Sequence, residues 1–111
     1  MRQKIIKAAK SCSLQVVEKG TYWQTQGPRL ETKAEIKMMA NFADIVGMTM
    51  ANEAVIALEM DMPYASACSI DNFGNGLLTE PLSMEEILTG ISKNADLMIR
   101  LLESYFSLSS P

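Results

Sequence analysis

The chain has 111 residues, 48% of them hydrophobic, with a formal net charge of −3, two cysteines and no histidine. That length gives at most one domain with a modest core, and the acidic balance argues against a nucleic-acid surface, which needs a basic face. Without histidine there is no Ser-His or Cys-His triad within this chain and no common zinc ligand set, so chemistry has to run through carboxylates, amides, hydroxyls and backbone dipoles.

In chain order, "MRQKIIKAAK" opens basic and amphipathic. It lacks the apolar stretch and small-residue cleavage site of a signal peptide, so a cytoplasmic chain is expected, and no apolar run reaches membrane-spanning length. Ile5, Ile6 and Ala9 fall at helical spacing and predict a helix over residues 2–11. Cys12 and Cys68 have no metal-ligand spacing and read as buried free thiols. "LQVVE" (14–18) is rich in β-branched residues and predicts a strand closed by Gly20. The stretch 20–30 follows as a polar loop with Gly27-Pro28 as its turn signal. Its Tyr22, Trp23 and Arg29 are more equipment than a linker needs.

"ETKAEIKMMANF" (31–42) predicts a second helix, and "ADIVGM" (43–48) a buried strand ending at Gly47. "NEAVIALEMD" (52–61) predicts a third helix with Asn52 available as its cap. After Pro63, "YASACSI" (64–70) is an almost unbroken run of small and apolar residues, as in a strand buried on both faces of a parallel sheet. "DNFGNGLLTEPL" (71–82) is a loop by its Gly, Asn and Pro content. Ser83 and Glu86 form a capping box for the last helix. Its apolar stripe runs Ile87, Leu88, Ile91, Ala95, Met98, Leu101, Leu102, Phe106.

Strands alternating with helices make the class α/β with a mostly parallel sheet flanked by helices. Three doubly buried strands are a thin sheet, and the chain reads as part of a larger domain. Ligands of open parallel sheets bind at the carboxyl ends of the strands. The loops there bring Glu31, Met48, Thr49, Asp71 and Asn72 into candidacy. Each also has a plain structural use: Glu31 suits the positive end of a helix dipole, Thr49 a turn, Met48 a core, and "DNFGNG" a tight turn.

"GTYWQTQGPRLETKAEI", "DIVGMTMANEAVIALEMDMPYAS" and "SIDNFGNG", in this order, resemble the trimeric purine nucleoside phosphorylase and methylthioadenosine phosphorylase family over about residues 1–105. Members split the N-glycosidic bond of a purine nucleoside with phosphate as co-substrate and need no further cofactor and no metal. The resemblance implies that Leu30 replaces a Phe that stacks on the purine. It also implies that Glu31 accepts hydrogen bonds from a 6-oxopurine, and that Asn72 bonds N7 and O6 and assists departure of the base. Adenine-specific relatives have Ser and Asp at these two positions. By the same resemblance Val46 lines the base pocket, Met48 lies beneath the sugar, and Thr49 donates to phosphate; Asp71, next to Asn72, is a substrate-binding candidate by its place at the strand end. Met84 stands near the place of a His that meets the 5′-hydroxyl in inosine-cleaving relatives. Glu31 and Asn72 imply a 6-oxopurine nucleoside, and Met84 an apolar 5′ substituent such as that of methylthioinosine; inosine and guanosine share the base class.

Members of the family are much longer. The resemblance therefore implies residues 1–111 to be one incomplete phosphorylase-type domain, its C-terminal portion. What it lacks is the N-terminal half with the phosphate loop and the phosphate-binding Arg and His. The expected partners are a purine nucleoside, phosphate, and either copies of the chain or a complementing N-terminal chain; nucleic acid and membrane are not expected. A non-catalytic interaction domain with weak purine binding stands as the alternative.

Overall fold

Two alanines decide where the two ends of the chain meet. In the computed structural model, which describes residues 1–109, Ala8 and Ala9 of α1 (Arg2–Ser11) are fully buried against Leu101 of α4 (Met84–Ser109). Ile5, Leu14, Met98 and Tyr105 pack around them. Side chains this small let the helix backbones approach. The Ser104 hydroxyl donates to the Ala8 carbonyl at 2.9 Å and pairs with the Ser11 hydroxyl at 2.8 Å, while Arg100 donates to the Cys12 carbonyl at 2.8 Å.

Leu14–Glu18, expected as a strand, enters no ladder. Its polar end, Glu18, is taken by α1: Lys10 pairs with the Glu18 carboxylate at 2.6 Å, and Arg2 donates to the Glu18 carbonyl at 2.7 Å. The segment therefore runs back along the helix, with Val17 92% exposed.

The first strand, β1 (Tyr22–Gln24), lies inside the stretch expected as a loop. Tyr and Trp suit a pleated, half-buried surface. It pairs in parallel with β2 (Ile45–Gly47), in the register Tyr22↔Ile45, Trp23↔Val46, Gln24↔Gly47. Asp44 locks this register from below: its N–H donates to the Thr21 carbonyl, and its carboxylate accepts from the Thr21 N–H at 2.7 Å. Above the strands, the Thr25 N–H donates to the Gly47 carbonyl at 2.9 Å.

Between the strands, α2 (Lys33–Met39) starts at Thr32, where Thr32 and Glu35 form a reciprocal capping box. It buries Ile36 and Met39 and stops where the Asn41 amide takes up the carbonyls of Lys37 and Met38. The next helix, α3 (Met50–Glu59), begins after Thr49, earlier than the Asn52 cap expected, and buries Ala57.

The third expected strand, Tyr64–Ile70, is also unpaired. It lines, with β2, an open groove of about 460 Å³, and Ile70 is 60% exposed. The described sheet thus has two strands, too few to cover the apolar faces of the helices. The capping box of α4 is present, with the Ser83 hydroxyl and Glu86 carboxylate each taking the other's N–H. Of the expected apolar stripe of α4 only Leu101 is buried, while Leu88, Ile91, Leu102 and Phe106 stay exposed. Leu58 of α3 is 80% exposed. Cys12 is half-buried and Cys68 exposed, both free, in contrast to the buried thiols expected. The radius of gyration, 15.6 Å, exceeds the ~13 Å of a compact domain of this length. No described helix is long and apolar enough to cross a membrane.

Candidate active site

Because β1 and β2 are parallel, their carboxyl ends lie on one side, and the segments 25–31 and 48–50 leave from it. One contact joins these segments and a second ties β1 to the start of α3. The Gly27 backbone has φ +60°, a left-handed conformation that suits glycine, and a Cβ there would stand 2.7 Å from Met48 Sδ. The side chain of Gln24 crosses to the start of α3, where its Oε1 accepts from the Ala51 N–H.

Within the first loop the Thr25 hydroxyl donates to the Glu31 carboxylate at 2.5 Å, holding one of its oxygens in place. Arg29 donates to both carboxylate oxygens of Glu35, at 2.8 and 2.9 Å. That fork, followed by the Thr32 backbone and hydroxyl, holds the Glu35 carboxyl at about 2, well below its ordinary value. The Arg29 guanidinium is pushed upward by the same hydrogen bond. Glu35 therefore staples loop and helix cap together and leaves Glu31 as the carboxylate at the loop's end.

The loop 71–76 reaches this region from the far side. Gly74 packs against Ile36 and Gly76 (φ +82°) against Lys33, so the loop rests on the first turns of α2. From it, the Asn75 amide donates to the Glu31 carbonyl at 3.3 Å, joining residues 44 apart in sequence. Its other flank is held by α4: Asn94 donates to the Ile70 carbonyl and to Asp71 Oδ1, both at 2.9 Å. Ser69 donates to Asp71 Oδ2 at 3.2 Å, so both carboxylate oxygens of Asp71 accept bonds that tether the loop.

The expected site residues are thus distributed unequally. Val46, Met48, Thr49 and Asp71 line the groove beside β2; Asp71 and Asn72 line a smaller hollow of about 200 Å³ with Phe73 and Glu86. Leu30 and Met84 are exposed, and neither they nor Glu31 line either space. The Asn72 amide donates to the adjacent Phe73 carbonyl at 2.8 Å. Thr49 precedes α3 without capping it by its side chain, and its backbone N–H donates to the Tyr22 hydroxyl at 3.3 Å. Glu53 accepts from Tyr64 across the groove at 3.1 Å. The Tyr64 phenol is pushed upward by partial loss of solvent and then by Glu53. Among the described residues no group of three or more Cys, Asp or Glu side chains could hold a metal ion.

Several working residues were not among those expected. The Thr32–Glu35 box has a readable T-x-x-E signal. Thr25, Asn75 and Asn94 have none, because their partners lie 6, 44 and 23–24 residues away.

Comparison with known proteins agrees with the motifs. The chain is 42% identical over 104 residues to a probable 6-oxopurine nucleoside phosphorylase of Archaeoglobus fulgidus, covering 93% of this chain and 43% of that protein. It is 38% identical over 88 residues to a probable S-methyl-5′-thioinosine phosphorylase of Methanocaldococcus jannaschii, covering 79% of this chain and 35% of the relative. An S-methyl-5′-thioadenosine phosphorylase of Pyrococcus furiosus is 34% identical over 103 residues, covering 93% of this chain and 40% of that protein. The chain therefore spans about two fifths of the length of the curated relatives it matches. The sequence profile of the phosphorylase superfamily matches residues 1–107, and the chain belongs to that superfamily.

Proposed function

We propose that this chain supplies the base-reading side of a site for phosphorolysis of 6-oxopurine nucleosides. The observation that supports it is the bond from the Asn75 amide to the Glu31 backbone carbonyl, which ties the Asn72 loop to the residue whose carboxylate would read the base. Glu31 accepts from N1–H of the base, with Thr25 fixing its orientation, and Asn72 turns its amide from Phe73 toward N7 and O6. Leu30 and Val46 give apolar contact to the purine, Met48 to the sugar and Met84 to an apolar 5′ substituent; Asp71 anchors the Asn72 loop beside the base. Inosine, guanosine and methylthioinosine share the 6-oxopurine class of base that these residues select.

In the reaction a phosphate oxygen forms a bond to C1′ as the C1′–N9 bond breaks, giving the free base and a sugar 1-phosphate. Positive charge grows on the sugar and negative charge on the purine, and a positioned donor at N7 stabilises the latter as it develops. Thr49 would donate its hydroxyl to phosphate. The remaining phosphate groups have to come from elsewhere, for Arg29, the basic side chain of the β1–α2 loop, is already committed to Glu35. We assign them to a complementing chain, which also covers the exposed apolar faces around Leu58 and Ile70. Residues 1–111 then act as one incomplete domain, in the cytoplasm, within an oligomer.

The test adds the part of the Archaeoglobus fulgidus relative that this chain does not match. Phosphate-dependent release of hypoxanthine from inosine, or from its 5′-methylthio analogue, is expected only from the mixture. A chain that binds hypoxanthine weakly but yields no product with any complement would instead be an interaction domain of phosphorylase ancestry. Equal binding of adenine and hypoxanthine would overturn the assignment of Glu31 and Asn72.

A further inference from the structure

The turn between β2 and α3 has its backbone donors answered by side chains of β1, at two points two residues apart on each element. The Thr49 N–H donates to the Tyr22 hydroxyl at 3.3 Å, and the Ala51 N–H donates to Gln24 Oε1. Tyr22 and Gln24 are i and i+2 on a strand and so project to the same face. Gly47 completes the fit, since a Cβ there would overlap the Tyr22 hydroxyl and stand 2.9 Å from Cζ. The phenol thus lies across the backbone of β2 at the point where the chain turns into α3.

We infer that Tyr22 and Gln24 are positioning residues that hold the 48–51 turn so that the Thr49 hydroxyl faces the phosphate. This rests on the assignment of Thr49 to phosphate made above. The first N–H groups of a helix have no partners within it. A free donor at Thr49 or Ala51 would compete for the anion or take water, and the turn would sample several conformations. With these two N–H groups answered by β1, the turn is held and the Thr49 hydroxyl, which makes no cap bond, stays available to donate. The clamp also explains why a polar, aromatic stretch occupies a strand: its alternate side chains serve the helix after the neighbouring strand.

The test uses the ¹⁵N-labelled chain and three variants. Tyr22→Phe removes the hydroxyl and keeps the ring, Gln24→Leu removes the acceptor, and Gln24→Glu keeps it. Without ligand, amide exchange at Thr49 should accelerate about 5–10-fold in Tyr22→Phe and exchange at Ala51 in Gln24→Leu, with Gln24→Glu near wild type, as expected for loss of one hydrogen bond. Titration with inorganic phosphate, each labelled chain being mixed with the complementing part of the Archaeoglobus fulgidus relative, should then show about 3–10-fold weaker binding in the first two variants, and hypoxanthine affinity should not change. Unchanged amide exchange would overturn the clamp itself. Parallel loss of phosphate and hypoxanthine affinity would overturn the positioning role in favour of general loosening. A wild-type mixture that cleaves inosine but in which phosphate moves no Thr49 resonance would instead overturn the assignment of phosphate to Thr49 and with it the purpose of the clamp.

Discussion

Gly90 of α4 presses against the backbone of Asp71 so closely that a Cβ would overlap the Asp71 carbonyl and stand 2.9 Å from its Cα. Four residues further along the helix, and so on the same face, Asn94 donates to the Ile70 carbonyl and the Asp71 carboxylate. Helix and loop are thus joined by the absence of one side chain and the reach of another. The loop that carries Asn72 is held from this side by α4 and from the other by α2.

Gly90→Ala should accordingly be costly although alanine favours helices. Backbone cannot yield as a flexible side-chain tip would, so overpacking should destabilise the chain by about 1–3 kcal/mol. Denaturant unfolding measures it. A gain in stability of about 0.5–1 kcal/mol, as helix propensity alone would give, would mean that the close approach is not maintained in solution.

Loss of the Glu31 carboxylate should be felt by the base and not by the fold. A hydrogen bond to a charged group contributes about 1.5–3 kcal/mol, so Glu31→Ala should weaken hypoxanthine binding about 10–100-fold. Thr25→Val leaves the carboxylate in place without its donor and should weaken it about 3–10-fold by freeing its orientation. Calorimetric titration would read both, and equal losses for adenine would contradict a base-selective role.

Asn72→Asp exchanges an amide, which can donate and accept, for a carboxylate that only accepts. A 6-amino group offers donors where a 6-oxo group offers an acceptor. The ratio of hypoxanthine to adenine affinity should therefore fall by about tenfold or more, in line with one reversed hydrogen bond. A ratio that stays constant would remove Asn72 from the base site.

The Arg29–Glu35 fork sets an acid-side prediction. Glu35 is held at about 2 against an ordinary 4.5, first by Arg29 and then by the Thr32 backbone and hydroxyl. A lowered carboxyl pKa favours the folded form fully above 4.5 and loses that preference as pH falls toward 2. Because the pair is exposed, the size of the effect is small. Glu35→Gln should flatten the stability curve between those two values and leave its slope at higher pH unchanged. Denaturant midpoints taken across that range decide it, and a variant with the wild-type slope would show that other carboxylates govern acid unfolding.

What was legible in the residues was local. The α1 periodicity, the Ser83–Glu86 box of α4 and the motifs of the phosphorylase superfamily all depend on neighbours within a few positions, or on runs that stay together whatever the fold. The α/β class and the parallel pairing of Ile45–Gly47 followed from the same signals. Tertiary structure decided the rest. Tyr22–Gln24 is a strand because Asp44 and Ile45 meet Thr21, whereas β-branched Leu14–Glu18 is not, because Lys10 and Arg2 hold Glu18 against α1. Tyr64–Ile70 has strand composition without a ladder, since a strand needs a partner edge and its own residues cannot provide one. In the same way, Thr25 on Glu31, Asn75 on the Glu31 carbonyl and Gly90 on Asp71 have no local signature. Each arises where distant segments converge, and convergence is a property of the path of the whole chain.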